Sequence, residues 1–154
     1  MTALQPYRGS ALTPPFDRAS VADVMRPGIF SCHGDASLRE LADTMATHRI
    51  HAVVVAGTRT DPVHGEELVW GLVTDLDLVR AAAGPPDTRA GDIARTEAVT
   101  IGPTTPLPEV ARIMAERELT HLIVAQGSQP IGVVSALDLA GVIAWGGGPA
   151  ASAP

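Results

Sequence analysis

Two stretches of the chain share one pattern of apolar and polar positions, and the pattern predicts an amphipathic helix in each. Apolar residues recur at i, i+3, i+4 and i+7 across residues 38–45 and again across residues 107–114. This spacing is the period of a helix that buries one face. The residues ahead of each stretch supply candidate caps: Ser37 or Asp35 for the first helix, and Thr105, followed by Pro106 in the first turn, for the second.

Runs of consecutive apolar residues follow each predicted helix and indicate a pair of strands. The runs are residues 52–56 with 68–74, and residues 122–125 with 131–135. Because these runs are continuous rather than alternating, both faces of the strands should be covered. Weaker patterns predict a helical turn and a brief strand ahead of each long helix, and a closing helix behind each strand pair. These elements are expected at residues 20–25, 29–32 and 75–83, and at residues 90–94, 98–101 and 136–145.

The elements occur twice because the chain contains an internal repeat. Positions from Ser31 to Val55 match positions 69 residues later, starting at Thr100, and those from Gly71 onward match positions 61 residues later. The first copy therefore holds eight extra residues, which fall in the polar stretch 57–67 and predict a hairpin loop there. The order strand-helix-strand-strand-helix, given twice, predicts an α/β fold with pseudo-twofold symmetry, since one copy of about 60 residues has little core by itself.

These patterns divide the chain into five segments. The expected organisation is an amino-terminal tail at residues 1–19, a first repeat at 20–83, a linker at 84–89, a second repeat at 90–146 and a flexible carboxyl-terminal tail at 147–154.

Composition narrows the classes of function. The net charge is -6, and all 11 basic residues are arginines scattered along the chain, which argues against general nucleic-acid binding. No apolar run reaches the roughly 18 residues of a membrane span, so no membrane partner is expected. The single cysteine, Cys32, excludes an internal disulfide. With no signal-like amino terminus, a cytoplasmic location is the default expectation.

The most specific feature is a seven-residue phrase that occurs in both copies, GLVTDLD at residues 71–77 and GVVSALD at residues 132–138. A Thr or Ser followed three residues later by an acid is typical of a capping box at a helix start. The carboxylates of Asp77 and Asp138 can also accept hydrogen bonds from the two neighbouring hydroxyls of a ribose. Because a carboxylate has several acceptor positions, both interpretations stay open.

Residues 20–146 resemble a tandem pair of CBS domains, the unit called a Bateman module. The resemblance rests on the two matching copies, the Asp-Val-Met opening at residues 23–25, the methionine-ended helix stripes and the doubled phrase. It implies a regulatory, non-catalytic module with two clefts between the copies, usually paired into a homodimer. Such modules commonly bind AMP, ADP, ATP or S-adenosylmethionine as a regulatory ligand and require no cofactor.

The output of such a module is expected on an effector protein or within the oligomer, because no effector domain is present in the sequence. The alternatives are a ligand-free dimerisation or protein-interaction module and, less favoured, a metal-binding stress protein. Cys32 and the nearby histidines lack the spacing of a four-ligand zinc site, so no metal is expected. No nucleophile with a base and an orienting group is visible, so no catalytic residue is assigned and the protein is not expected to be an enzyme.

In nucleotide-binding family members, the motif aspartate holds the ribose hydroxyls with help from the Thr or Ser. Residues near the first strand and at the start of the second line the base and phosphate sites. The resemblance therefore implies eight candidate ligand-binding residues: Ser31, His51, Thr74 and Asp77 in the first copy, and Thr100, His121, Ser135 and Asp138 in the second.

Charge distinguishes the two candidate sites. Arg26 and Arg95, which are 69 residues apart, can either supply phosphate charge or remain solvated linker residues. Asp75 adds negative charge beside the first site, where the second copy has Ala136. The second copy is therefore the better candidate for an occupied nucleotide site.

Overall fold

The computed structural model describes residues 13–95 and 99–146, and the chain divides into two compact units. Within the described part, unit 1 contains residues 29–95, and unit 2 contains residues 13–28 together with 99–146. Each unit is therefore built from segments that belong to different predicted copies. The helical turn that opens the first copy lies in unit 2, and the turn that opens the second copy lies in unit 1.

The predicted elements occur in the predicted order in both copies, with one additional short strand, β1, so the mixed α/β fold is confirmed. After a 3-10 turn at Val21–Asp23, the elements are β1 (Arg26–Pro27), β2 (Ser31–His33), α1 (Leu38–His48), β3 (Ala52–Asp61), β4 (Gly65–Thr74), α2 (Asp75–Ala82), α3 (Ala90–Ile93), β5 (Thr100–Ile101), α4 (Leu107–Arg117), β6 (His121–Gln126), β7 (Gln129–Ser135) and α5 (Ala136–Trp145).

Each unit contains one small mixed sheet. In unit 1 the strand order is β2-β3-β4, with β2 parallel to β3 and β4 antiparallel to β3. In unit 2 the order is β1-β7-β6-β5, with β5 parallel to β6 and the other pairs antiparallel. Arg26 of β1 pairs with Val133, and Arg95 makes the equivalent antiparallel bridge to Leu72 in unit 1. The two units therefore repeat one pairing pattern.

The predicted helix stripes form the two cores. In unit 1 the helices cover one sheet face through a cluster whose buried members are Leu41, Met45, Val53, Val55, Val73 and Ala90. In unit 2 the equivalent cluster contains Leu107, Val110 and Met114 of α4, and it also takes Val21 and Val24 from the 3-10 turn. Burial of these apolar side chains is the main favourable contribution to folding. The short leading turns thus contribute directly to the cores.

The eight extra residues lengthen a hairpin instead of forming a loop. Strands β3 and β4 pair without a break from Ala52 opposite Thr74 to Asp61 opposite Gly65. The predicted loop at residues 57–67 is therefore wrong, and only residues 62–64 form the turn. An antiparallel ladder needs main-chain pairing rather than apolar side chains, so polar residues can continue it. The turn is closed by the Asp61 carboxylate, which accepts from the backbone N–H groups of Val63 at 2.7 Å and His64 at 2.8 Å.

One of the two predicted helix caps is correct. Ser37 caps α1, because its Oγ accepts from the Glu40 N–H at 3.1 Å while the Glu40 carboxylate accepts from the Ser37 N–H at 2.8 Å. The prediction for α4 is wrong, because Pro106 occupies the cap position and no side chain caps that end. The backbone of Thr105 is used elsewhere: its carbonyl accepts from the Val21 N–H at 3.0 Å.

Gly71, the first residue of the repeated phrase, provides a test of this packing. A Cβ at this position would stand 2.9 Å from the Cβ of Ala94, well inside ordinary van der Waals contact. Gly71→Ala is therefore expected to destabilise the protein by about 1–3 kcal/mol through overpacking. The measurement is the melting temperature from differential scanning calorimetry.

Two further variants control for effects other than packing. Gly57→Ala lies on the same hairpin, and its Cβ would meet only the Val69 carbonyl at 3.9 Å, so its melting temperature should stay near that of the wild type. The double variant Gly71→Ala/Ala94→Gly removes the clash and should recover stability relative to Gly71→Ala. The packing assignment would be contradicted if the double variant lowered the melting temperature by the sum of the decreases caused by Gly71→Ala and Ala94→Gly separately.

Candidate functional site

The repeated phrase of unit 1 forms the junction between strand β4 and helix α2. Thr74 caps the helix: its Oγ1 accepts from the Asp77 N–H at 3.3 Å, and Asp77 Oδ2 accepts from the Thr74 N–H at 2.9 Å. The Thr74 hydroxyl also donates to the same carboxylate oxygen at 2.9 Å. The capping interpretation of this phrase is therefore correct. The carboxylate stabilises the start of α2 whether or not it also binds a ligand.

The second oxygen of Asp77 is bound by an arginine. Arg95 donates to Asp77 Oδ1 from Nε at 3.3 Å and from Nη2 at 3.1 Å. Asp77 has 9% of its surface exposed, whereas the Arg95 side chain is 48% exposed. The backbone of Arg95 is held beside β4 by two hydrogen bonds with Leu72. A carboxylate has about four acceptor positions, and here two hydrogen bonds reach each oxygen.

These contacts set the charge of Asp77. Burial alone would raise the pKa of its carboxyl, but hydrogen bonds from the backbone and hydroxyl of Thr74 and from Arg95, together with the Arg95 charge, outweigh burial. The net effect lowers the pKa of Asp77 below its ordinary value of 3.8. The carboxylate is thus held ionised, which is the form that accepts hydrogen bonds at every lone pair.

Two more polar side chains meet at the start of α2. His51, which immediately precedes β3, places Nδ1 2.9 Å from Asp75 Oδ2, and both side chains are exposed. The strands fix this contact, because the Asp75 N–H donates to the His51 carbonyl at 2.9 Å. In unit 2 the corresponding positions are Thr120 and Ala136, so no such pair of side chains can form there.

The repeated phrase of unit 2 forms the same junction between β7 and α5. Ser135 Oγ accepts from the Asp138 N–H at 3.1 Å, and Asp138 Oδ2 accepts from the Ser135 N–H at 2.9 Å. Asp138 is 4% exposed and is more deeply buried than its counterpart in unit 1. His121, the first residue of β6, lies opposite Ser135 in the ladder, and its Nδ1 lies 2.9 Å from the Thr120 hydroxyl.

The remaining two candidates lie on the first strands. Ser31 pairs with Val54, which in turn pairs with Leu72. Residues in register share a sheet face, and alternate residues along a strand return to it, so Ser31 lies on the same face as Thr74. Ser31 is exposed on that face, which is opposite to the one covered by the core cluster of unit 1.

Thr100 has the equivalent position in unit 2. It pairs with Ile123, and Ile123 lies two residues along β6 from His121, the partner of Ser135. In each unit the strand candidates therefore share one sheet face, and the motif aspartate lies at the adjoining helix start: Ser31, Thr74 and Asp77 in unit 1, and Thr100, His121, Ser135 and Asp138 in unit 2. His51 lies just before β3, and its contact with Asp75 places it at the start of α2.

Metal ligands do not converge in the described parts of the chain. There, no group of three or more His, Cys, Asp or Glu side chains is placed to hold an ion. Burial of Cys32, and then the negative charges of Glu40 and Asp35, raise the pKa of its thiol. This keeps the sulfur protonated, and the protonated form is a poor metal ligand.

The helices within the described ranges are also too short or too polar for any of them to cross a bilayer.

Sequence reasoning missed the ion pair of Arg95 and the contact between His51 and Asp75. The solvated-linker interpretation of Arg95 is wrong, because its guanidinium binds the motif carboxylate. The available signal was the recurrence of arginine at positions 26 and 95, each three residues after an aspartate that recurs as well, Asp23 and Asp92. The side chain of Arg26 lies outside the described part of the structure.

Comparisons with known proteins agree on one family. The family model described as CBS domain matches residues 21–84 and 90–144. The CBS domain-containing protein YhcV of Bacillus subtilis (strain 168) is 26% identical over 125 residues, which cover 79% of this chain and 84% of that protein.

Two solved structures share the fold. The CBS domain pair of protein MJ0100, in complex with 5′-methylthioadenosine and S-adenosyl-L-methionine, has a TM-score of 0.67 and 21% identity, covering 79% of this chain and 93% of the other. The protein CBSX2, in complex with AMP, has a TM-score of 0.61 and 19% identity with the same two coverages.

The ionised carboxylate of Asp77 leads to a pH-dependent prediction. Asp77→Asn keeps the shape of the side chain but removes its charge, and hydrogen bonds to a charged group contribute about 1.5–3 kcal/mol. Because the folded-state pKa is lowered, this contribution is present above the ordinary value of 3.8 and is lost as the pH falls through the folded-state pKa. The variant should melt below the wild type at pH 7, and the gap should shrink below about pH 4.

Thermal unfolding followed by circular dichroism between about pH 7 and pH 2.5 measures that gap. The control is Asp43→Asn on the exposed side of α1, which should change the melting temperature little at any pH. A gap for Asp77→Asn that stays constant over the whole range would show that the charge of Asp77 does not stabilise the fold.

Proposed function

This chain belongs to the CBS domain family, and we propose that it is a regulatory module that senses an adenosine-type nucleotide, AMP, ADP, ATP or S-adenosylmethionine. The observation that supports this most directly is a buried carboxylate beside a hydroxyl at the start of a helix, present in both units. The related structures that hold AMP, or 5′-methylthioadenosine with S-adenosyl-L-methionine, support the same class of ligand.

The chemistry of the ribose fits this arrangement. Two adjacent ribose hydroxyls present two donors, and a carboxylate can accept both through charge-assisted hydrogen bonds. The helix dipole, which is positive at the start of a helix, also favours an anionic ligand group nearby. We assign the ribose to Asp138 or Asp77, with Ser135 or Thr74 assisting. The strand residues of the same face, Thr100 and Ser31, with His121 and His51, would line the rest of each site.

The second copy is the better candidate for nucleotide. In unit 1 the motif position next to the threonine is Asp75, whose negative charge opposes a phosphate. In unit 2 that position is Ala136, so this repulsion is missing. We therefore propose that the site of Asp138 is occupied at lower nucleotide concentration than the site of Asp77.

The ligand is proposed to act as a signal and not as a substrate. CBS domain proteins are generally regulatory, and this chain carries the family pattern in both repeats. Occupancy would be read by an unidentified effector protein or by another copy of the chain. The alternative, a ligand-free interaction module, has one observation in its favour: the carboxylate of Asp77 already has its hydrogen bonds without a ligand.

Helix α5 supports a homodimer. Its sequence, ALDLAGVIAW, contains one polar residue, Asp138, and that residue is buried. The exposed side of the helix is therefore entirely apolar, with Leu137, Ile143 and Trp145 as its large members. A helix that is apolar all round is normally covered on every side. We propose that a second copy of the chain covers it.

Titration calorimetry tests the nucleotide. AMP, ADP, ATP and S-adenosylmethionine are titrated into the wild type and into Asp138→Ala. At least one ligand should bind the wild type, and the variant should lose tenfold or more in affinity, about 1.4 kcal/mol. The reason is that the substitution removes the carboxylate that accepts the ribose hydroxyls.

The control for Asp138→Ala is Asp23→Ala, which removes another capping carboxylate of unit 2, one that accepts from the Ser20 N–H at 2.8 Å. Asp23→Ala should weaken the 3-10 turn and leave affinity unchanged. If no ligand gives heat or a thermal shift with the wild type, the nucleotide proposal fails. If Asp138→Ala lowers only the melting temperature, Asp138 is a cap and the site assignment is wrong.

Sedimentation equilibrium tests the dimer. Ile143 is 66% exposed on α5, and Ile143→Glu would place a charge in the proposed interface, so the variant should sediment as a monomer where the wild type sediments as a dimer. Val63→Glu is the control, because Val63 is 82% exposed at the hairpin turn of unit 1 and is not part of α5, so its replacement should leave the dimer intact. A monomeric wild type, or an Ile143→Glu dimer, would refute this interface.

A further inference from the structure

The carboxylate of unit 1 is already saturated by the protein itself. Asp77 Oδ2 accepts from the N–H and the hydroxyl of Thr74, and Asp77 Oδ1 accepts twice from Arg95. These four hydrogen bonds use the acceptor positions that a ribose would need. A ligand can therefore reach this carboxylate only by exchanging places with one of the present donors.

Arg95 is the donor that can leave. The Thr74 bonds cap helix α2, and their loss would unwind its first turn. The Arg95 guanidinium, by contrast, sits at the end of a long side chain that is 48% exposed. Its backbone remains held by Leu72 whichever way the side chain turns. Release of the guanidinium uncovers Oδ1 without disturbing the cap or the core.

We propose that Arg95 is the specificity-determining residue of the unit 1 site, and that it restricts this site to adenosine ligands that carry a phosphate. The inference rests on the proposed function and adds the class of ligand. When the ribose hydroxyls take Asp77 Oδ1, the released guanidinium needs a new anion. A phosphate on the same ligand supplies one and can bind the guanidinium through two parallel hydrogen bonds. The ribose then replaces Arg95 on the carboxylate, and the phosphate replaces Asp77 on the guanidinium.

Adenosine cannot complete this exchange, because it offers the two ribose hydroxyls but leaves the guanidinium without an anion. S-adenosylmethionine carries one carboxylate, but its sulfonium cation lies between that carboxylate and the ribose, so it replaces the ion pair less well than a phosphate does. Adenosine must therefore break the ion pair between Asp77 and Arg95 without replacing it, and it should bind unit 1 weakly.

The neighbouring charges sharpen the prediction. Asp75 and His51 form their own contact at the start of the same helix. Asp75 is acidic and opposes a phosphate, so Arg95 is the cation that makes a phosphate acceptable. Without Arg95, Asp77 is open to ribose and Asp75 still repels phosphate. Removal of the arginine should then reverse the preference of the site and not simply weaken it.

The experiment compares AMP with adenosine in the full chain carrying Asp138→Asn, which weakens the unit 2 site so that the heat of titration reports on unit 1. In this background AMP should bind at least tenfold more tightly than adenosine. Adding Arg95→Met should lower the ratio of the two affinities by at least tenfold, with adenosine binding as tightly as before or more tightly. The control is Arg80→Met, which removes another exposed arginine, on α2, and should leave the ratio unchanged.

Different failures have different meanings. Equal affinity for AMP and adenosine before Arg95 is replaced, or equal loss of both after Arg95→Met, would overturn the role of Arg95. Heat with the wild type but none in the Asp138→Asn background would also overturn it, while leaving the proposed function intact. If neither ligand nor any other adenosine compound binds the wild type, the proposed function fails and this inference fails with it.

Discussion

The hydrogen-bonded junction between the hairpin and the following helix is the interaction on which the rest of the structure depends. In both units a hydroxyl residue ends the strand, and an aspartate three residues later returns its carboxylate to the backbone of that residue. This box sets the direction in which α2 and α5 leave their sheets, and therefore which side of each helix packs on the core. In unit 1 the hydrogen bonds and the Arg95 charge lower the pKa of the buried Asp77, so the fold itself maintains a negative charge there.

The two units keep this junction but differ in the charges around it. Unit 1 has an acid at position 75, which contacts the imidazole of His51. Unit 2 has Ala136 and Thr120 at the corresponding positions and a hairpin without the eight extra residues. The backbone pattern is thus repeated while the electrostatic pattern is not. Under the function proposed above, two sites built this way would respond to different ligands or to different concentrations of one ligand.

The sequence predicted the features that depend on local patterns. The helix stripes, the cap at Ser37 and the boxes at Thr74 and Ser135 each lie within a few residues, so spacing alone identifies them. The sequence patterns did not predict the features that depend on contacts between residues far apart in the chain. The polar stretch 57–67 continues a ladder because its partner strand is in register, and Thr105 gives its carbonyl to Val21, which lies in another segment. The ion pair of Asp77 joins residues 18 positions apart, across a linker that carries no periodic signal.

Capping and ligand binding need not compete for the motif aspartate, because its two carboxylate oxygens can accept hydrogen bonds from different partners. In both units it is Oδ2 that accepts from the backbone N–H of the cap residue. In unit 1 the other oxygen, Oδ1, holds Arg95, a residue outside the junction. A change of partner at Oδ1 therefore leaves the cap in place, and the helix start survives whatever the second oxygen binds. This division allows the phrase of unit 1 to cap its helix and also to take part in the ligand exchange proposed above.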